Sequence, residues 1–142
     1  MAEGEDIRIS LEEIKGRIER LRERMREDEG GLIMQNVDLF YFTGTMQRGI
    51  FFLSHKGELL LIARHLPRAK EESPLENILP YSSLEEVPLL IEDLLGDIPP
   101  RVGLEMDLLP VKTFLALKDI LGEREYFDLS PRIMEVRRVK SP

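Results

Sequence analysis

Gly49-Ile-Phe-Phe-Leu-Ser-His-Lys-Gly-Glu-Leu-Leu-Leu-Ile-Ala-Arg64 decides the fold class. Two apolar runs, Gly49 to Leu53 and Glu58 to Arg64, flank Ser54-His-Lys-Gly57, whose glycine suits a tight connection between antiparallel strands. Downstream the pattern changes to alternating helix and strand. A short helix is predicted over Leu66 to Glu72 and a strand over Asn77 to Tyr81, then a helix over Ser83 to Leu95 with Ser83 and Glu86 as a capping box. After Gly96-Asp-Ile-Pro-Pro100 come a strand at Arg101 to Glu105, a helix at Pro110 to Leu121, a strand at Glu125 to Leu129 and a helix opening at Ser130-Pro131. Alternation of this kind calls for parallel strands with crossover helices on the sheet faces. The prediction is an α/β domain: a mixed sheet of about six strands, hairpin first and parallel βα units after, with helices on both faces.

Upstream of the hairpin, Ser10 and Glu13 form a second capping-box pair, and Leu11, Ile14, Ile18, Leu21 and Met25 recur at steps of three and four. This predicts a helix from Ser10 to Arg26. Its narrow stripe spans two heptads, fewer than a coiled coil needs, so packing on the domain's own sheet is the expected use. Asp28-Glu-Gly-Gly31 reads as the helix end and Leu32 to Gln35 as the first buried strand. Asn36-Val-Asp-Leu-Phe-Tyr-Phe-Thr-Gly44 has no period of two and reads as a short helical turn leading into a loop.

The 142 residues, 42% hydrophobic and 33% charged, suit one globular domain. No apolar run approaches the roughly 20 residues that span a bilayer. The acidic start, Met1-Ala-Glu-Gly-Glu-Asp6, has neither a basic region nor an apolar core of the secretory kind, which predicts a cytoplasmic protein with no membrane partner. Cysteine is absent, which excludes disulfides, thiolate metal sites and a thiol nucleophile within these residues. A net charge of −7 opposes nucleic-acid binding, and the basic group Arg132, Arg137, Arg138 and Lys140, interrupted by Glu135, reads as a solvated helix end.

No phosphate-binding glycine motif, nucleophile elbow or paired-histidine metal motif occurs. His55 lies in the hairpin turn and His65 follows the third strand. Glu105 and Asp107, after a strand, fit either acid-base work or the capping of the next turn. The loop Thr43-Gly-Thr-Met-Gln-Arg48 is the most suggestive surface, with Gly44 and Gly49 for unusual backbone angles, a polarisable Met46 and an unpaired Arg48. An ordinary connection whose Arg48 faces water is the competing reading.

Three stretches carry a family resemblance. Asn36 to Gly44 resembles the N-x-x-Y-x-T-G stretch of the Xaa-Pro aminopeptidase, prolidase and creatinase family. Arg101-Val-Gly-Leu-Glu105 is similar to that family's R-V-G-x-E strand, and Leu129 to Pro142 to the junction that leads into its catalytic domain. The resemblance covers nearly the whole chain from Ser10. It implies a ribonuclease-H-like front domain over residues 1–137, with 138–142 opening a linker; Ser141-Pro142 reads as the start of a further helix. It also implies a C-terminal pita-bread domain beyond these residues that holds two divalent ions, manganese, cobalt or zinc, and attacks the bond before proline through a metal-activated water. No cofactor and no hydrolytic activity are expected of residues 1–142 themselves.

The implied partners are the chain's own catalytic domain, a second copy in a homodimer and, in the parent protein, a peptide substrate. Such front domains lend a loop that walls a neighbouring subunit's active site. Tyr41, Thr43 and Gly44 match the family motif, and Thr45, Met46, Gln47 and Arg48 occupy the approaching stretch; His65 completes the candidate set. Thr45 stands where the family often has an aromatic, and Tyr41 and Phe42 also fit a core role. Ribonuclease-type chemistry is not implied, because Leu32 to Gln35 contains no carboxylate. Two other readings share this front domain: a peptide- or protein-binding scaffold from a non-catalytic relative, and a creatinase-like hydrolase of a guanidino compound.

Overall fold

Strand β1 (Glu29–Ile33) sits inside the sheet of the computed structural model, which describes residues 9–139. It follows α1 (Leu11–Arg22) and leads through α2 (Asn36–Thr43) into the hairpin of β2 (Gly49–Ser54) and β3 (Gly57–Ile62). Then come α3 (Leu66–Glu72), β4 (Ile78–Pro80), a single 3-10 turn at Leu84–Glu86 and α4 (Val87–Leu95). The chain closes through β5 (Arg101–Leu104), α5 (Val111–Leu121), β6 (Glu125–Asp128) and α6 (Ser130–Arg138). The six strands form one mixed sheet in the order β4-β3-β2-β1-β5-β6. β2 is antiparallel to β1 and β3, whereas β1 with β5, β5 with β6 and β3 with β4 are parallel.

Apolar side chains cover both faces. Ile14, Ile18 and Leu21 of α1 pack with Phe42, Phe51, Leu60 and Val136 on one face; Phe52, Leu59, Val102, Ile91 and Leu117 fill the other. Thus α1, α2, α3 and α6 cover the first face and α4 and α5 the second, as the α/β reading requires. From Ile14 to Met25 the apolar stripe is spent inside the domain, and only Leu11 of that stripe is left exposed. Ser10 caps α1, its Oγ accepting from Glu13 N at 3.1 Å, and the Ser83–Glu86 capping box forms as expected.

Two of the boundaries that differ from the sequence reading bear on the buried charges. α1 stops at Arg22, although Met25 in the following turn remains buried. β1 begins at Glu29, so Asp28-Glu-Gly-Gly31 does not merely terminate a helix: Gly30 and Gly31 lie in the sheet, directly against Phe52 and Leu129. A carboxylate therefore does stand in the first strand, contrary to expectation. Glu29 is fully buried and accepts from Arg132 Nη1 and Arg101 Nη1, each at 2.6 Å, and from Arg26 N at 2.8 Å. Burial pushes its carboxyl up, but these donors together hold it below the usual carboxylate range. The junction expected after residue 137 is described only as far as Val139; Lys140 and the Ser141-Pro142 helix start lie outside the described residues.

Candidate functional site

The loop after α2 is fixed from below. Gly44 ends the helix in the left-handed region at φ 83°, its N–H donating to Phe40 O, which is the conformation a side chain disfavours. Gly49 serves another purpose than the expected unusual angle: its backbone is extended, and a Cβ there would lie 2.3 Å from Leu61 O. Between them, Thr43 and Thr45 are buried. Thr43 Oγ1 donates to Leu39 O at 2.7 Å, and Thr45 Oγ1 donates to Glu72 Oε1 at 2.7 Å.

Glu72, the last residue of α3, organises the loop. It also accepts from Met46 N at 2.9 Å and from the Gln47 side-chain amide at 3.4 Å. Burial raises its carboxyl, but Thr45, Met46, Gln47 and the nearby Arg68 outweigh that and hold it below its ordinary value. The consequence is a presented side chain: Met46 is 73% exposed on a loop whose backbone is tied down. No periodicity marks Glu72 in the sequence, because its partners lie 25 to 27 positions away.

The remaining candidates separate into two groups. Gln47, Arg48 and His65 line one cavity of about 400 Å³ beside Ala63 and Arg64, and His65 itself adopts φ 62° ahead of α3. Tyr41 belongs to the packing side: Arg17 lies 4.3 Å over its ring and donates to its carbonyl at 2.9 Å, and Phe42 is fully buried. Tyr41 and Thr43 hold the loop's base and do not meet the cavity.

A second cavity, of about 530 Å³, opens beyond the carboxyl ends of β1 and β5. Glu105 lines it, 2% exposed, with Oε1 accepting from Met34 N at 2.7 Å and Gln35 N at 3.0 Å. Oε2 is buried and meets no N–H donor of the described residues, and the Glu105 side chain is hydrogen-bonded to the carboxyl of Asp38. Burial first, and the adjacent Asp38 carboxyl next, push the Glu105 pKa up to about 8 against the pull of the two N–H groups. Glu105 thus holds its proton well above the ordinary carboxylate range, while Asp38 keeps Arg137 Nη1 at 2.7 Å. Asp107, the other carboxylate after β5, accepts from the Ser130 hydroxyl, a capping role.

The basic group read as a solvated helix end is in part committed to buried carboxylates: Arg132 serves Glu29 and Arg137 serves Asp38. Metal binding finds no donor set here. Among the described residues no three His, Asp or Glu side chains converge on one point, and Glu29 and Asp38 are committed to guanidinium groups. Also among the described residues, no helix is long and apolar enough to cross a membrane.

The described residues form a hairpin-led α/β domain with a pinned loop and a crevice beyond the carboxyl ends of β1 and β5. The sequence profile of the Creatinase/Prolidase N-terminal domain matches residues 17–139, and the chain belongs to that family. Its fold is that of solved Xaa-Pro peptidase structures. An Xaa-Pro dipeptidase from Bacillus anthracis superposes with a TM-score of 0.78 at 23% identity, over 90% of this chain and 37% of the other. A prolidase from Pyrococcus furiosus gives 0.72 at 21% identity, over 87% and 38%. An Xaa-Pro aminopeptidase structure from Streptococcus pyogenes gives 0.74 at 19% identity, over 90% and 100%. The chain thus spans little more than a third of the length of the first two proteins, and at these identities the likeness concerns the fold. Comparison with curated protein sequences gives no match.

Proposed function

We propose that this chain serves as the non-catalytic N-terminal domain of a metal-dependent Xaa-Pro aminopeptidase or dipeptidase, where it supports assembly of the subunits and shapes the substrate pocket. The observation that carries this reading is the family match over residues 17–139 in a fold that equals about a third of a dipeptidase and of a prolidase. In this reading the two divalent ions and the hydrolytic step belong to a C-terminal catalytic domain, and the partners are that domain and a second subunit. The pinned loop from Thr43 to Arg48 supplies the wall. Its rigid backbone and outward Met46 suit an apolar contact with a peptide or a neighbouring subunit, at little entropic cost on docking.

Hydrolysis of an Xaa-Pro dipeptide and tripeptide with manganese or cobalt tests the proposal, comparing residues 1–142 with the longer protein that carries them. Activity confined to the longer protein supports it. Activity in residues 1–142 overturns it. Activity in neither favours a module that binds a protein partner.

A further inference from the structure

Helix α5 carries apolar residues on both of its sides. Leu117 and Leu121 enter the second core, yet Leu115, on the opposite side of the helix, is 57% exposed, and Val111 one turn before it is 73% exposed. Leu108, in the turn that leads into the helix, is exposed as well. A surface helix keeps its outer face polar, whereas one that is apolar all round is covered on every side. Leu89 on α4 shows the contrast: the residues one turn on are the exposed Glu92 and Asp93, so it stands singly and needs no cover.

We propose that this stripe is the contact between two copies of the chain, with α5 packed antiparallel on α5 of the second copy across a two-fold axis beside Leu115. This contact supplies the subunit assembly of the function proposed above and so rests on that reading; association, not peptide hydrolysis, tests it, and each can fail alone.

Charge selects both the partner and the direction. Lys112 and Asp119 lie on the outward face with Leu115, three positions before it and four after, and both are exposed with no ion pair among the described residues. Seven positions, about 10 Å of helix rise, keep them from meeting each other. In an antiparallel copy each lysine stands opposite the other copy's aspartate, so the stripe is complementary to itself, as a two-fold contact requires. A parallel arrangement sets lysine against lysine and aspartate against aspartate. Lys118, the remaining cation on this helix, is turned back over its own domain, its Nζ 5.5 Å from the centre of the Phe114 ring and 5.8 Å from that of Tyr126. On a chain of net charge −7 a second copy is repelled from acidic faces, and this stripe offers one charge of each sign. α5 also lies on the opposite face of the sheet from α6, the element after which the proposed catalytic domain continues, and this favours a second copy over that domain as the cover.

Sedimentation equilibrium of the chain across a concentration series tests the contact. The expected result is a monomer–dimer equilibrium. Lys112→Glu should weaken it about tenfold, because both symmetry-related pairs turn repulsive at once. Combining Lys112→Glu with Asp119→Lys exchanges the two charges and should restore association to within about threefold of the wild type. Leu115→Glu places two like charges at the axis and should leave a monomer. The three positions are exposed, and unchanged circular dichroism shows that the variants fold. The chain has no cysteine, so Leu115→Cys introduces a single thiol near the axis; a short bismaleimide should link it into a covalent dimer, whereas Leu89→Cys should stay monomeric. A wild type that is monomeric at every concentration overturns the proposal, as does a dimer indifferent to Leu115→Glu. Failure of the charge exchange to restore association overturns the antiparallel arrangement. Linking at position 115 in residues 1–142 but not in the longer protein that carries them assigns the stripe to the rest of that chain and likewise overturns the proposal.

Discussion

Arg132 Nη1 donates to Glu29 Oε1 at 2.6 Å, joining the last helix to the first strand across 103 positions. Arg101 reaches the second oxygen of the same carboxylate from β5, also at 2.6 Å, and the Phe127 ring lies under both guanidinium groups at 5.1 and 4.6 Å. Three elements distant in sequence are thereby held at one buried charge. Breaking such a pair from one side leaves the other charge stranded.

Glu29→Gln should therefore destabilise the domain by about 3 kcal/mol, because two partly buried guanidinium groups lose their counter-charge. The folded state lowers the Glu29 pKa, so its contribution is complete above the ordinary carboxylate value of 4.5 and is lost as pH falls through the lower folded value. Urea midpoints at pH 7 and pH 3 should show the wild type losing more stability on acidification than Glu29→Gln. Equal losses would contradict the pairing.

Glu105 acts with the opposite sign. Its folded pKa is raised from 4.5 to about 8, so the native state holds a proton the unfolded chain has released, and stability falls as pH rises across that interval. The slope is at most about 1.4 kcal/mol per pH unit for one proton. The groups facing this carboxyl are Asp38 from α2, itself paired with Arg137 of α6, and the N–H groups of Met34 and Gln35. Glu105→Gln imitates the neutral acid and should flatten the decline between about pH 5 and pH 8 in chemical denaturation.

Glu72→Ala removes the acceptor shared by Thr45, Met46 and Gln47. A cost of about 1–3 kcal/mol is expected from the buried Thr45 hydroxyl left without its partner. The sharper readout is local: amide hydrogen exchange at Met46 should accelerate while the amides of β2 and β3 keep their protection. Unchanged exchange at Met46 would show that Glu72 does not hold the loop.

Gly44→Ala places a side chain at φ 83° in the αL cap of α2. The left-handed conformation costs a non-glycine residue about 1–2 kcal/mol. Thermal unfolding should register that loss, and the altered exit angle should shift the amide resonances of Thr45 and Met46 more than those of α5.

Local chemistry in the sequence determined the order and type of the elements. Ser10 with Glu13 and Ser83 with Glu86 announce helix starts through contacts three residues apart, and Gly49 to Arg64 announces a hairpin through two apolar runs and a two-residue turn at His55 and Lys56. The spacing of Tyr41, Thr43 and Gly44, together with Arg101 to Glu105, was enough for the family, and Gly44 for the loop's sharp exit. Only the tertiary structure decided which charges are structural. Asp28-Glu-Gly-Gly31 looked like a helix terminator because its neighbours in sequence say nothing of Phe52 and Leu129, against which the two glycines fit. The arginines near the end looked like one solvated patch until Glu29 and Asp38 claimed Arg132 and Arg137 from about 100 residues away. Glu72 under the loop and Glu105 in the crevice gain their roles in the same way. Short-range patterns record hydrogen bonds within a turn or a strand pair, whereas burial of a charge depends on which distant donors the folded chain brings to it.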